Sequence, residues 1–261
     1  MNGDEDSQHR LGAIVARIQN PKYFYPRLNG EYVVSMDGIL EQSHSNRGKF
    51  GKVLNQGNLA SCTANALCSI VNSYAGVETS RLFLYYNERR YIRQVDTDSG
   101  AYLHHGIESL IHQGICPESA WPYETEKFRN KPSDQAYSEA KDVKVLHTGC
   151  VKQTLKVMQF WIWQGFAIAL CFRVYSSFFS YLTATTGQVP DPEDGEHSVG
   201  GHAVIVVGYD NAAASFVCQN SWGESWGDKG YFHISYKYIL DRSKTSDLWI
   251  IKEVTEDSVA C

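Results

Sequence analysis

Gln56-Gly57-Asn58-Leu59-Ala60-Ser61-Cys62-Thr63-Ala64-Asn65-Ala66 runs into a stretch where Leu67, Ile70, Val71 and Tyr74 recur at helical spacing. The spacing predicts a buried helix from Ser61 to about Ala75, with Ser61 as its N-cap and Gly76 as its stop. Cys62 then sits on the first turn. There, unpaired backbone N–H groups and the positive end of the helix dipole lower a thiol pKa from its ordinary ~8.5, and the thiolate is the nucleophilic form.

A nucleophile of this kind needs a base. His202 opens the apolar run His202-Ala203-Val204-Ile205-Val206-Val207-Gly208-Tyr209, and a second run, Ser215–Gln219, ends just before Asn220. If the two runs form a hairpin, the midpoint between 202 and 220 is Asn211, inside the turn candidate Asp210-Asn211-Ala212. His202 and Asn220 are then expected nearly opposite one another across the ladder, where an amide can hold an imidazole in one orientation and tautomer. Gln56, six residues before Cys62, can fold its amide back over the sulfur. With the Cys62 backbone N–H it would form a two-donor oxyanion hole, worth ~3–4 kcal/mol per donor in comparable sites.

Working outward, the 261-residue chain is 43% hydrophobic and 20% charged, an ordinary globular composition, and it is long enough for one large domain or two modest lobes. A formal net charge of −5 argues against nucleic acid and anionic lipid as partners. The start, Met1-Asn2-Gly3-Asp4-Glu5-Asp6, does not read as a secretory signal. The greasiest stretch, Phe160 to Phe172, is interrupted by Gln164 and Gly165 and falls short of the ~20 apolar residues a membrane span needs. Seven cysteines without a Cys-x-x-Cys pair suggest neither a disulfide framework nor a zinc ribbon, and a reducing, intracellular setting is favoured.

Further helices are expected over Arg81–Arg93 and Ala101–Gln113. Strands are expected over Phe166–Val174, His202–Tyr209, Ser215–Gln219, Tyr231–Tyr236 and Leu248–Val254. The fold class is therefore α+β. Residues 1–45 read as an N-terminal arm, 46–142 as a mainly helical lobe carrying Cys62, and 143–261 as a mainly β lobe of antiparallel sheet carrying His202 and Asn220, with the site in the cleft between lobes.

Gln56 through Ala66, Gly200-Gly201-His202-Ala203-Val204 and Asn220-Ser221-Trp222-Gly223 resemble the signature blocks of the papain family of cysteine peptidases, in the same order Gln, Cys, His, Asn. Pro117-Glu118-Ser119-Ala120-Trp121-Pro122-Tyr123 and Trp226-Gly227-Asp228-Lys229-Gly230-Tyr231 extend the likeness over about residues 50 to 235. The details around Cys62 and Asp98-Ser99-Gly100-Ala101-Tyr102 are more similar to compact bacterial and large-virus members than to animal cathepsins. The resemblance implies a two-lobed papain-like fold in which Cys62 is nucleophile, His202 base and then acid, Asn220 its orienting partner and Gln56 the oxyanion donor. It also implies that Trp222 shields the His202–Asn220 bond and forms primed-side surface. Ser99 and Gly100 would form the backbone edge that pairs with the substrate residue two before the cut, and Tyr102, Gly200, Gly201 and Ala203 would line that residue's pocket. No metal or organic cofactor is required. Three positions depart from the pattern. Ala60 replaces a Gly and could crowd the cleft, Thr63 replaces a Trp, and Leu59 stands where a disulfide cysteine is common.

The function this implies is a cysteine endopeptidase acting on peptides or proteins through a thioester acyl-enzyme. Two alternatives stay open: a catalytically impaired protein-binding scaffold, and a transpeptidase using the same acyl-enzyme. His105, Glu108 and His112 share a helix face, which reads as solvated polar surface rather than a metal site. The arm has two courses open to it. Residues 1–35, with Tyr23, Phe24 and Tyr25 between Pro21 and Pro26, either lie extended through the cleft as an internal inhibitor or pack outside the sheet lobe.

Overall fold

The structure is a computed structural model that describes residues 10–15 and 41–255. Seven strands form one sheet: β1 (Ser43–Ser45), β2 (Val145–Cys150), β3 (Ile168–Tyr175), β4 (Ser198–Asp210), β5 (Ser215–Gln219), β6 (Tyr231–Ser235) and β7 (Thr245–Val254). The order is β2-β7-β3-β4-β5-β6, with β1 on the side of β4, and every strand pair is antiparallel. Helices α1 (Cys62–Ala75), α2 (Arg81–Tyr91) and α3 (Leu103–His112) lie N-terminal to β2. Short helices α4 (Asp134–Glu139), α5 (Leu155–Trp163), α6 (Tyr181–Thr186) and α7 (Tyr236–Leu240) fill the connections. This is the expected α+β architecture.

Two apolar clusters cover the two faces of the sheet, and strand alternation sorts the residues between them. Ala169 and Cys171 of β3, Ala203 and Ile205 of β4, and Trp249 and Ile251 of β7 join Leu67, Ile70 and Val71 of α1. Their neighbours Leu170, Phe172, Val204, Val206, Leu248 and Ile250 point the other way, into a cluster with Met158 and Ile162 of α5 and the aromatics Phe178, Trp222, Trp226 and Phe232. Both faces are buried, so these strands read as nearly unbroken apolar runs. The first helix packs across the sheet at β4 and delivers its N-terminus to the start of that strand.

The expected helices and strands are present, with ends shifted by a few residues. Gly76 stops α1 in the left-handed conformation at φ 67°, its N–H donating to the Asn72 carbonyl. Ser61 precedes the helix but does not cap it, a correction to the reading above. Its hydroxyl is paired with the Tyr123 hydroxyl at 2.5 Å and accepts from Asn65 Nδ2 at 3.0 Å, and no side chain caps the first turn. The sequence reading passed over β1, β2 and the short helices α4 to α7.

Buried Arg89 of α2 supports the loop that leads to α3. Its guanidinium donates to the carbonyls of Val95, Thr97 and Phe128. The polar ladder that holds this loop ends at Asp98. Thr63 donates its hydroxyl to Oε2 of fully buried Glu88 at 2.6 Å. Burial outweighs that hydrogen bond and Arg89, and pushes the Glu88 carboxyl up to about 8. A carboxyl raised in the folded state contributes stability below its ordinary value near 4.5, and that contribution is lost as pH rises through about 8. Glu88→Gln is therefore expected to flatten the stability profile and to leave the variant the more stable protein at pH 9, by on the order of a few kcal/mol. Thermal unfolding at pH 5 and pH 9 checks this. A gap between the two proteins that does not widen with pH would show that Glu88 stays ionised.

Candidate active site

Cys62 lies at the first residue of α1, fully buried, with the Ala203 backbone N–H donating to its Sγ at 3.4 Å. The neighbouring residue on β4 is His202, also fully buried. His202 Nε2 lies 2.7 Å from Asn220 Oδ1. That oxygen already accepts the Ser221 backbone N–H at 2.8 Å, which fixes which end of the Asn220 amide is oxygen. An amide oxygen only accepts, so Nε2 carries the proton and Nδ1 is the nitrogen with a lone pair. The Trp222 ring, nearly fully buried, lies 5.0 Å from the imidazole, which Phe172 and Phe178 also approach.

The route by which Asn220 reaches His202 differs from the expected one. The β4–β5 ladder ends at Ile205↔Gln219, with an irregularity between Val206 and Gly208. Continued by one residue, the ladder would set Asn220 opposite Val204 rather than His202. Asn220 instead lies just past β5 and reaches diagonally two residues along β4.

Gln56 is buried beside Ser221, whose hydroxyl donates to Gln56 Oε1 at 2.6 Å. Its Nε2 donates to the Leu59 carbonyl at 2.9 Å and to the Arg10 carbonyl at 2.8 Å. The second acceptor is the notable one, because Arg10 opens the segment Arg10–Val15, which runs through the cleft. Arg10 Nη1 lies 2.7 Å from Asp98 Oδ2. The Gly12 backbone N–H donates toward the Cys62 thiol. Ala13 N–H donates to the Gly201 carbonyl at 3.0 Å, and the segment pairs with Ala101 as a parallel bridge, through Ala101 N–H to Gly12 and Ile14 N–H to Ala101. The fit depends on glycine. A Cβ built on Gly12 would meet the Ala60 carbonyl oxygen at 1.8 Å, and one on Gly201 would meet the Ala13 oxygen at 2.1 Å.

This occupancy changes the thiol. Under the segment, burial pushes Cys62 up to about 12, overriding the lowering by the N–H groups of Ala203, Gly12 and Thr63. The expectation of a lowered pKa is corrected for this arrangement, because the dipole at a helix N-terminus is outweighed once water is removed from the sulfur.

Gly200 and Gly201 flank the segment, with Leu11 over Gly200 and the Ala13 carbonyl over Gly201. Gly100 turns at φ 71° and gives its N–H to the Tyr85 hydroxyl, and the Ser99 hydroxyl bonds the Gly100 carbonyl, while the segment pairs at the next residue, Ala101. Tyr102 stands at the N-terminus of α3 with its ring against His104 and His105. The polar-face reading of His105 is also corrected. Its ring stacks on Tyr91, and burial lowers it to about 4.

Asp98, Ala101, Ser221 and the glycine at position 12 escaped the sequence reading. Asp98 accepts from Arg10, from Ala60 N–H at 3.0 Å and from the Tyr85 hydroxyl at 2.6 Å, so one carboxylate ties the segment to the loop before Cys62. The only signal for it was its place ahead of Ser99-Gly100. Tyr23, Phe24 and Tyr25 lie outside the described residues, as does Cys261.

A cysteine at a helix N-terminus, beside an imidazole held by an amide, in a cleft between helices and sheet, defines the thiol peptidase class. Residues 41–247 match the papain family cysteine protease model, and the chain belongs to that family. It is 41% identical over 221 residues to an uncharacterized peptidase C1-like protein of Acanthamoeba polyphaga mimivirus, covering 78% of this chain and 70% of that one. It is 30% identical over 127 residues to cathepsin B-like cysteine proteinase 4 of Caenorhabditis elegans, which spans 46% of this chain and 35% of the relative. Its fold superimposes on the crystal structure of xylellain, a cysteine protease from Xylella fastidiosa, with a TM-score of 0.84 at 30% identity, over 97% of this chain and 99% of that one. The protein is a papain-like cysteine peptidase, a hydrolase.

Proposed function

We propose that the protein is an endopeptidase working through a Cys62 thioester, held inactive by its own residues 10–15. In this reading His202 Nδ1 takes the thiol proton and Sγ attacks the scissile carbonyl. The developing oxyanion accepts from Gln56 Nε2 and from the Cys62 backbone N–H. His202 then protonates the leaving amine, and water hydrolyses the thioester. Asn220 keeps the imidazole in the tautomer that this sequence of transfers needs.

The observation that carries the reading is the placement of the Arg10 carbonyl on Gln56 Nε2, with the Gly12 N–H two residues on directed at the Cys62 thiol. A backbone carbonyl thus occupies the donor that a substrate carbonyl would use. A substrate that pairs at Ala101 two residues before its cut runs from Ala101 toward Gln56. The segment runs the other way, from Arg10 at Gln56 to Ala13 at Ala101. It therefore meets the sulfur with an N–H rather than a carbonyl carbon, which explains how a peptide can lie in the cleft without being cut. Passage of the Gly12 backbone over Ala60 also weighs against the impaired scaffold, since a main chain fits past the Ala60 methyl.

Digestion of a peptide library by the protein lacking residues 1–35, read by mass spectrometry, tests the reading. Internal cleavages that disappear in His202→Ala are expected. A digest unchanged by His202→Ala would overturn it.

A further inference from the structure

In the endopeptidase reading the two oxyanion donors, Gln56 Nε2 and the Cys62 N–H, stand at the two ends of residues 57–61, a stretch that is neither helix nor strand. No regular hydrogen-bond ladder fixes the distance between them, so contacts from elsewhere in the chain must. The Ser221 carbonyl accepts the Gln56 N–H at 2.8 Å, and Asp98 accepts the Ala60 N–H at 3.0 Å. Those two braces leave the Gln56 carbonyl and Ser61, the residue before Cys62, to a third.

The third is Tyr123, in the connection between α3 and α4. Its hydroxyl donates to the Gln56 carbonyl at 3.0 Å and meets the Ser61 hydroxyl at 2.5 Å. From within the stretch, the Leu59 N–H reaches the same carbonyl at the longer distance of 3.4 Å. A carbonyl only accepts, so the Tyr123 proton points to Gln56, and the proton between the two hydroxyls belongs to Ser61. Ser61 Oγ in turn accepts from Asn65 Nδ2 at 3.0 Å, and the amide of Asn65 is oriented by Arg81 Nη1, which donates to its Oδ1 at 3.3 Å. One directed chain therefore runs from Asn65 on α1 through Ser61 and Tyr123 to Gln56. The ring itself is held. The Arg81 guanidinium lies 3.8 Å from its centroid, and the Tyr123 N–H donates to Glu118 Oε1 at 2.6 Å. Burial raises the Tyr123 hydroxyl above its ordinary value near 10, so it remains a donor at neutral pH.

We propose that Tyr123 is a positioning residue for catalysis, its hydroxyl setting the spacing of the two oxyanion donors by tying Gln56 to Ser61 across the loop. The inference rests on the peptidase reading, in which the developing oxyanion accepts from Gln56 Nε2 and the Cys62 N–H. Such donors act when they lie about 2.7–3.1 Å from the oxygen of the transition state, and a misplacement of ~1 Å costs roughly 10²-fold in rate. Loss of one brace among three is a smaller loosening, so an effect of about ten-fold is the expected scale.

The test uses the full-length protein carrying Gly12→Val, whose added Cβ has no room beside the Ala60 carbonyl, so that residues 10–15 do not compete with substrate. In that background Tyr123→Phe keeps the ring under Arg81 and deletes only the hydroxyl. It is expected to lower kcat about ten-fold with KM little changed. A peptide aldehyde reports on the same donors: Cys62 Sγ adds to its carbonyl carbon, the thiol proton passes to the aldehyde oxygen, and that oxygen takes the place of the oxyanion. Its affinity is expected to fall by about the same factor. Exchange of the Cys62 thiol with dithiodipyridine builds no oxyanion, so its rate, read at Cys62 by peptide mapping, is expected to stay within about two-fold of the parent. In Gln56→Ala, where one donor is already gone, Tyr123→Phe is expected to cost only about two-fold more. An unchanged kcat, a loss confined to KM, a dithiodipyridine rate that falls along with kcat, or an undiminished loss on top of Gln56→Ala would overturn the positioning role while leaving the peptidase reading standing. A Gly12→Val parent that neither cleaves peptide nor adds the aldehyde at Cys62 would overturn that reading and the inference with it.

Discussion

Gly12→Val in the full-length protein raises hydrolysis of a fluorogenic peptide by about a hundred-fold. The added Cβ has no room, because the Ala60 carbonyl oxygen would stand 1.8 Å from it and the Ala60 carbonyl carbon 2.3 Å from it, and backbone atoms cannot step aside as a flexible side-chain end can. The segment must leave the cleft, and the Arg10–Asp98 pair, with its guanidinium largely in water, is too weak to hold it there. Before substitution a tethered segment acts at an effective concentration of up to about millimolar, so an intrinsic affinity of only ~10 µM suppresses activity by that hundred-fold. The readout is initial rate at low substrate for both proteins. Activity unchanged by Gly12→Val would mean that substrate already gains the cleft freely, and the closed arrangement would have no regulatory weight.

Gln56→Ala carries two opposed effects, since Gln56 Nε2 serves both the expected oxyanion and the Arg10 carbonyl. In the full-length protein loss of the amide loosens the blocking segment while weakening catalysis. In the Gly12→Val background only catalysis remains, and kcat is expected to fall by roughly 10²-fold with little change in KM, because the donor acts mainly on charge that develops in the transition state. Steady-state kinetics on folded protein check it. An equal kcat would remove Gln56 from the oxyanion role and leave it as an anchor for the segment alone.

Much of this was legible in the sequence because short-range signals agreed. The apolar spacing that ends at Gly76 marked α1, and the runs from His202 and Ser215 marked the hairpin that carries His202 and Asn220. What was not legible depended on local departures from regular geometry. The hairpin turns between Asp210 and Ser215, so its centre falls between positions 212 and 213 rather than at Asn211, which moved Asn220 off the position opposite His202; the irregularity near Val207 returns only one residue of that offset. The pairing of the N-terminal segment with Ala101, just past the left-handed turn at Gly100, is not announced by any residue type. Helix α5 ends inside the aromatic stretch from Phe160 to Phe172, which reads as core whatever its conformation. The direction of the Cys62 shift was misjudged because burial raises a thiol pKa, and residue 12, far away in sequence, is among the groups that lie on the sulfur. The cleft course of the arm was foreseen as one of two options, but on the aromatic group at Tyr23–Tyr25. The described contacts come from the glycine-bearing stretch Arg10–Val15, where small size admits the backbone between Ala60, Ala101 and Gly201.

The most direct test compares covalent labelling of Cys62 by an epoxysuccinyl thiol-protease inhibitor in the full-length protein and in one lacking residues 1–35, which retains β1. Intact mass gives the rate and stoichiometry, and peptide mapping gives the site. The truncated protein is expected to take up one equivalent, at Cys62, while the buried thiols of Cys68, Cys116, Cys171 and Cys218 stay unmodified. The full-length protein should react far more slowly, since its Cys62 is covered and pushed up to about 12. Equal rates in the two proteins, or label spread over several cysteines of the truncated one, would contradict an activated nucleophile held closed by the chain's own N-terminal segment.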